Sequence, residues 1–178
     1  IYEFNATMVD DTGVADGIME FNGVNTTVTN PIGNVFNFTI GGLSAGTYTY
    51  RWYANDTSGN VNFTEGGFYT VSRATSEVNL SINNSESNIS INQGDTIDLN
   101  GTLITGDAGA TILLYNNGTL IGNGSSPLGN STSFNNLGEH NITIVYPESQ
   151  NYSRSSESFF VTVSDVVVPN VTSLTEQP

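Results

Sequence analysis

The sequence predicts an all-β protein of the sandwich or barrel class, long enough for two such domains. Three observations carry this expectation. Helix patterns are missing: there is no sustained i, i+3, i+4 apolar spacing, and strong helix formers are few. Short alternating segments of Val, Ile, Thr, Tyr and Phe recur about every 8–12 residues. Gly, Asn, Asp and Ser, the residues that turns select, punctuate those segments. With 178 residues the chain has room for one or two domains, and the strand spacing suits two sandwiches.

In the first half, strands are expected at 1–9, 18–22, 25–29, 34–40, 46–55 and 62–71. Tyr2, Phe4, Ala6 and Met8 alternate onto one face of the opening strand. In the fifth strand Tyr48, Tyr50, Trp52 and Ala54 fall on one face, while Thr49, Arg51 and Tyr53 fall on the other. The aromatic stripe could be a sugar-stacking platform. Core is the better reading, because a small β-domain without disulfides needs large buried rings, and Arg51 is then an outward cation. In the second half, strands are expected at 77–82, 88–91, 96–103, 111–116, 118–122, 131–134, 141–146 and 158–163. The run Asn116-Asn117-Gly118 between two apolar segments signals a tight hairpin. The expected domains are 1–73 and 74–165, with 166–178 as a linker plus one strand. The joint near residues 72–76 has no Pro/Gly-rich spacer, which predicts a stiff connection.

Composition removes most chemistry. The chain has 3 basic and 17 acidic residues, a formal charge of −14, and charged residues at 11%, against about 25% in ordinary soluble proteins. The cations are Arg51, Arg73 and Arg154; there is no Lys and no Cys. An acidic surface without a basic patch repels phosphate backbones and anionic lipid. Without Cys there is no disulfide, thiol nucleophile or Cys-based zinc site. A single His140 excludes a multi-histidine metal site; beside Glu139 in a turn, it is expected to be a solvated surface residue. No Lys means no Schiff base, phosphate loop or Lys–Asn crosslink. No stretch reaches the roughly 18 apolar residues of a membrane span. The chain begins without an initiator Met or signal peptide, so a mature or excerpted form of an exported protein is expected.

The strongest single signal is the N-glycosylation acceptor N-x-[ST]. It occurs at Asn5, Asn25, Asn37, Asn55, Asn62, Asn79, Asn83, Asn88, Asn100, Asn117, Asn123, Asn130, Asn141, Asn151 and Asn170. That is about 15 of about 24 asparagines, where roughly five would follow by chance from the Ser and Thr content. Turn chemistry explains abundant Asn, but not the preference for Ser or Thr two places on. Dense glycosylation is therefore expected, with these asparagines on loops and outward strand faces, which places the chain outside the cell.

The run from Gly46 through Tyr50-Arg51-Trp52-Tyr53 to Asn60 resembles the sixth-strand signature of Ig-like repeats in bacterial and archaeal surface proteins. Asp11-Thr12-Gly13-Val14 after the opening strand is similar to the same repeats. In the second half, Tyr146-Pro147-Glu148 through Asn151-Tyr152 to Ser156, followed by Phe160-Val161-Thr162-Val163, resembles another Ig-like repeat class. The resemblance covers nearly the whole chain. It implies two tandem Ig-like sandwiches without an active site, in an adhesin, S-layer, sheath or filament, and the sequon density looks archaeal more than bacterial. In such repeats a further strand precedes the segment matching residues 1–9. Residues 166–178 read like that opening strand, with Pro169 and Pro178 bracketing an edge position. The first sandwich is therefore expected to be completed by an equivalent of this tail, through Val171, Thr172, Ser173, Leu174 and Thr175. The strand would come from chain continuity in a tandem array or from another copy, and both give head-to-tail assembly. The alternative is a disordered tail and a domain that tolerates a missing edge strand.

Asp11, Asp16 and Asp56, with Asp10, flank two loops expected at one end of the first sandwich and are weak Ca²⁺ candidates. The favoured reading is that Asp11 and Asp56 bond their own turn backbones, so no metal and no cofactor beyond covalent N-linked glycans is expected. Glu3, Glu20 and Glu65 are the acids that glycoside hydrolysis would require, but they fall on outward faces or turns. Gly41-Gly42 and Gly122-Asn123-Gly124 read as hairpin turns rather than phosphate loops, because no helix follows. The expected function is a structural, glycosylated building block of an extracellular archaeal filament, sheath or S-layer, with copies of itself as partner and no catalytic residue. The alternative is a stalk or binding module of an adhesin that recognises a glycan or protein.

Overall fold

A computed structural model describes residues 1–178 except Asn30, Leu174, Glu176, Gln177 and Pro178. The described residues form strands and turns without a helix. The chain divides into two units, Ile1–Arg73 and Ala74–Pro178.

The second unit is a complete sandwich. Its strands are β8 (Glu77–Ile82), β9 (Ile89–Asn92), β10 (Thr96–Thr105), β11 (Thr111–Asn116), β12 (Thr119–Ser125), β13 (Leu128–Ser133), β14 (Gly138–Tyr146) and β15 (Ser155–Ser164). One sheet runs β13-β10-β8 and the other β12-β11-β14-β15-β9. All pairs are antiparallel except β15 with β9. The period-2 patterns of the strands meet between the sheets: Leu80 and Ile82, Ile97 and Leu99, Ile112 and Leu114, Ile142 and Ile144 are all shut off from solvent. Each such side chain contributes roughly 1.5–3 kcal/mol of burial. The Asn117-Gly118 hairpin forms as the sequence predicts, with φ of 47° and 79°, the two left-handed residues that a type I′ turn requires.

The first unit uses the same arrangement with fewer strands. Its elements are β1 (Tyr2–Thr7), β2 (Val14–Phe21), β3 (Val24–Val28), β4 (Val35–Ile40), β5 (Gly46–Asp56), β6 (Val61–Phe63) and β7 (Gly67–Val71). β1 and β4 form a two-stranded sheet, and β3-β2-β5-β6, with β7 also on β5, form a five-stranded one. The core holds Phe4, Met8, Met19, Phe21, Phe36 and Trp52. Tyr48 and Tyr50 pack against it, with Phe21–Tyr48 ring centroids 5.4 Å apart and Phe4–Tyr50 5.3 Å apart, so the aromatic stripe is core.

Three expectations of local structure are corrected. Gly122-Asn123-Gly124, expected as a hairpin turn, lies inside β12, paired with Leu114, Leu113 and Ile112. The single strand expected at 62–71 is broken into β6 and β7. Tyr53 pairs with Phe63 and Tyr50 with Gly67, so Arg51 and Trp52 face the three residues Thr64, Glu65 and Gly66, a one-residue bulge. Thr64 fills the break by donating its amide to the Trp52 carbonyl (2.9 Å) and accepting the Trp52 amide at Oγ1 (3.1 Å). His140 is not a solvated turn residue but lies buried in β14. Its Nε2–H donates to the Asn136 carbonyl at 2.9 Å, and its ring meets Phe134 edge-on at 4.9 Å. Its neighbour Glu139 and an expected turn predict solvent from sequence; the local hydrogen bond and aromatic contact make burial possible instead.

Candidate functional site

Strand for strand, the two units correspond. The pairs β1–β4, β2–β3, β2–β5 and β5 with β6/β7 repeat β10–β13, β11–β12, β11–β14 and β14–β15. What the second unit has in addition is β8, antiparallel on the free side of β10, and β9, parallel on the free side of β15. In the first unit β1 pairs with β4 alone among the described strands, and β6 and β7 with β5 alone. Backbone amides and carbonyls along one side of β1 therefore lack a ladder partner, the condition under which an edge accepts an added strand.

Beside that edge lies a groove of about 340 Å³. Ala6, Thr7, Met8 and Val9 line one wall, residues 61–64 the other, and Trp52 and Ala54 the floor. Val9 is more than 70% exposed there, whereas the exposed Val61 and Phe63 pair with Asn55 and Tyr53 on the outward side of β6. A second groove of about 330 Å³ lies on the other flank, between β4 and β3, lined by Phe21, Val24, Phe38 and Ile40. The complete unit tells the two apart. The counterpart of β4, β13, is itself an edge strand, whereas the counterpart of β1, β10, is covered by β8.

The way β8 is held shows what such a groove does. Its Val78, Leu80 and Ile82 enter the core. Polar side chains near the start of β15 meet its backbone and the residue before it: Glu157 Oε2 accepts the Leu80 amide at 2.5 Å, and Ser76 Oγ donates to Ser155 Oγ at 2.8 Å.

The proposed acceptor asparagines are all described. Asn5, Asn25, Asn37, Asn62, Asn83, Asn88, Asn117, Asn123, Asn151 and Asn170 are exposed, and Asn55, Asn79, Asn100, Asn130 and Asn141 half-buried. Several already serve the fold. Asn83 and Asn117 hold left-handed turns at φ of 48° and 47°, and their Oδ1 atoms accept the amides of Asp98 and Asn141. Asn88 Oδ1 accepts the Phe160 amide. Asn130 donates Nδ2 to the Ile121 carbonyl at 2.7 Å. Asn5 and Asn37 are directly paired across β1 and β4, and both side-chain amides donate to Glu3.

The assembly-strand residues Val171, Thr172, Ser173 and Thr175 carry no strand, and Leu174 lies outside the described residues. Val166, Val167, Val168 and Val171 are 62–81% exposed.

The two loops at one end of the first unit do come together: Thr57 donates its amide to the Gly13 carbonyl and its hydroxyl to the Thr12 carbonyl. Asp10, rather than Asp11, caps the first loop, accepting from the amides of Thr12 and Gly13 and from the Thr12 hydroxyl. Asp56 accepts from the amides of Ser58 and Asn60 and from Asn60 Nδ2. These donors hold both carboxyls below the usual 3.8, foremost the Thr12 hydroxyl for Asp10 and the Asn60 side chain for Asp56. Asp11 is exposed, and Asp16 sits opposite Asn55 at an irregularity of the β2–β5 ladder. Among the described residues no group of three or more His, Asp and Glu side chains is placed to hold a metal ion. Glu3 is exposed on β1, Glu65 lies in the bulge, and Glu20 accepts the Tyr53 hydroxyl at 2.6 Å. Arg51 rests over the Phe63 ring, 5.2 Å from its centroid.

No family model and no curated protein matches the sequence. Solved structures similar to the chain include fibronectin(III)-like modules of Clostridium thermocellum CbhA, with 14% identity over 97% of this chain and 91% of that one and a TM-score of 0.43. A chimeric titin Z1Z2 tandem matches with 11% identity over 92% and 90%, at a TM-score of 0.36. A bacterial ice-binding adhesin matches with 16% identity over 91% of this chain and 58% of that one, at a TM-score of 0.35.

Proposed function

We propose that this chain is a non-catalytic, N-glycosylated building block of an extracellular surface assembly, an archaeal filament, sheath or layer, whose modules join head to tail by strand complementation. One observation carries the reading: the position that β8 fills in the second unit is an open edge beside a groove in the first. The strand that fills it is the equivalent of residues 166–175, whose described members include the exposed Val166, Val167, Val168 and Val171 and carry no strand of their own. Such an added strand gains ladder hydrogen bonds along β1 and buries alternate side chains. Exposed sequons on both units support an outer surface coated with sugar.

Electron microscopy and sedimentation of the purified chain test this. Concentrated full-length protein is expected to form regular end-to-end polymers, and a chain ending at Ser164 to remain monomeric. Equal, monodisperse behaviour of the two would overturn strand donation.

A further inference from the structure

Asn62 combines two properties that other sequons show singly: Asn130 also pairs with a core residue, Leu99, but spends its Nδ2 on the Ile121 carbonyl, and Asn55 also lines the groove beside β1 but pairs with Val61 on the other side of the ladder. Asn62 pairs directly with Ala54 across β5 and β6, so it lies on the face of β6 that looks toward the core rather than away from it. That parity would normally bury it. It is exposed because the groove beside β1 is open, and it lines that groove with Ala6, Met8 and Trp52. The residues in the same situation in the complete unit are Ser155 and Glu157, which pair with the buried Tyr146 and Ile144. Those are the side chains that hydrogen-bond β8 and the residues leading into it. Asn62 is thus placed where the polar partner of an added strand belongs. Its Oδ1 accepts the Phe63 amide at 2.8 Å, and Nδ2 remains for a backbone carbonyl of that strand. Nδ2 is also the atom to which a glycan would be attached.

We propose that Asn62 is the control point of assembly: a sugar on Asn62 and a strand in the β1 groove exclude each other. This rests on the strand-complementation reading above, and the occupant is residues 166–175 of a second copy. The physical reason is space. A strand added to β1 lies about 4.8 Å from it, within a groove of about 340 Å³, and so fills the volume that the first sugars on Asn62 require. Asn25 provides the contrast. It pairs with Glu20, which pairs with Arg51, on the outward face of the same sheet, where a sugar leaves the groove clear. Glycan at Asn62 therefore caps a chain as a terminal subunit, and a bare Asn62 lets the polymer grow.

The chain contains no Cys and one Trp, and that Trp52 lies in the groove floor. Full-length unglycosylated protein carrying Asn62→Cys or Asn25→Cys can therefore be coupled to a thiol-reactive oligosaccharide at one position. Binding of a synthetic peptide of residues 165–178 is then followed by Trp52 fluorescence, at concentrations where the protein is monomeric. Both forms of Asn25→Cys are expected to bind alike, uncoupled Asn62→Cys to bind more weakly because it lacks the Asn62 amide, and sugar-coupled Asn62→Cys to lose about a further tenfold or more relative to its uncoupled form. If the sugar-coupled Asn62→Cys binds within about twofold of the uncoupled protein, the exclusion is overturned while strand complementation stands. If unmodified protein does not bind the peptide at all, strand complementation itself fails. Asn62→Gln made in a glycosylating host supplies a check without Cys: it is expected to bind the peptide, and failure to bind while the unglycosylated parent does bind overturns the role of Asn62.

Discussion

Replacing Gly17 by Ala is expected to destabilise the first unit selectively. Gly17 lies in β2 and is covered by Phe36 of β4, on the opposite sheet. A Cβ at Gly17 would stand 2.4 Å from Phe36 Cδ1, 2.9 Å from Cγ and 3.0 Å from Cε1, where ordinary contact begins near 3.4 Å. Phe36 is 3% exposed, so its ring can yield only by forcing the two-stranded sheet away from its partner. Overpacking of this kind costs about 1–3 kcal/mol, offset by about 0.5–1 kcal/mol because Ala suits a strand better than Gly. For a unit of this size a net loss of 1–2 kcal/mol lowers the melting temperature by about 4–15 °C. Trp52, the one tryptophan, reports the first unit by fluorescence, while circular dichroism follows the whole chain. Phe36→Leu in the Gly17→Ala background is expected to recover part of the loss, with a coupling of about 1 kcal/mol in a double-mutant cycle. An unchanged Trp52 transition in Gly17→Ala, or strictly additive mutations, would refute the inter-sheet contact and with it the position of the sheet that carries the open edge.

His140→Ala should lower the denaturant midpoint of the second unit by the equivalent of about 1–3 kcal/mol, because it removes the hydrogen bond to the Asn136 carbonyl and the Phe134 contact, while leaving the Trp52 signal unchanged. Asp10 and Asp56 have folded pKa values below the ordinary 3.8. Their contribution to stability is therefore present above about pH 4 and lost as the pH falls through their folded values; Asp10→Asn with Asp56→Asn should flatten the acid limb of the Trp52 melting curve below about pH 4. Glycopeptide mapping after expression in a glycosylating host should find Asn25 and Asn123 occupied and Asn130 bare, because Asn130 Nδ2 is committed to the Ile121 carbonyl; an occupied Asn130 would refute that assignment.

Much of the strand order was legible because its signals are local. Leu80 and Ile82, or Ile142 and Ile144, alternate visibly along the chain, and Asn117-Gly118 carries its own turn conformation. Tyr48, Tyr50 and Trp52 were readable as core for the same reason. The bulge at Thr64–Gly66 was not, because it arises from how β6 and β7 must each register on β5. His140 gave a surface signal in sequence, and only the hydrogen bond to Asn136 and the ring of Phe134 decide that it is buried.

The sequons, the acidic charge and the absence of Lys and Cys were determined by sequence alone, since they are read from residue order and composition. Which side of a strand each sequon occupies was not. In β-structure one step of register moves a side chain from the outer face to the inner one, and register is a relation between strands distant in sequence. Only the tertiary structure decided that Asn25 faces outward while Asn62 lines the groove beside β1.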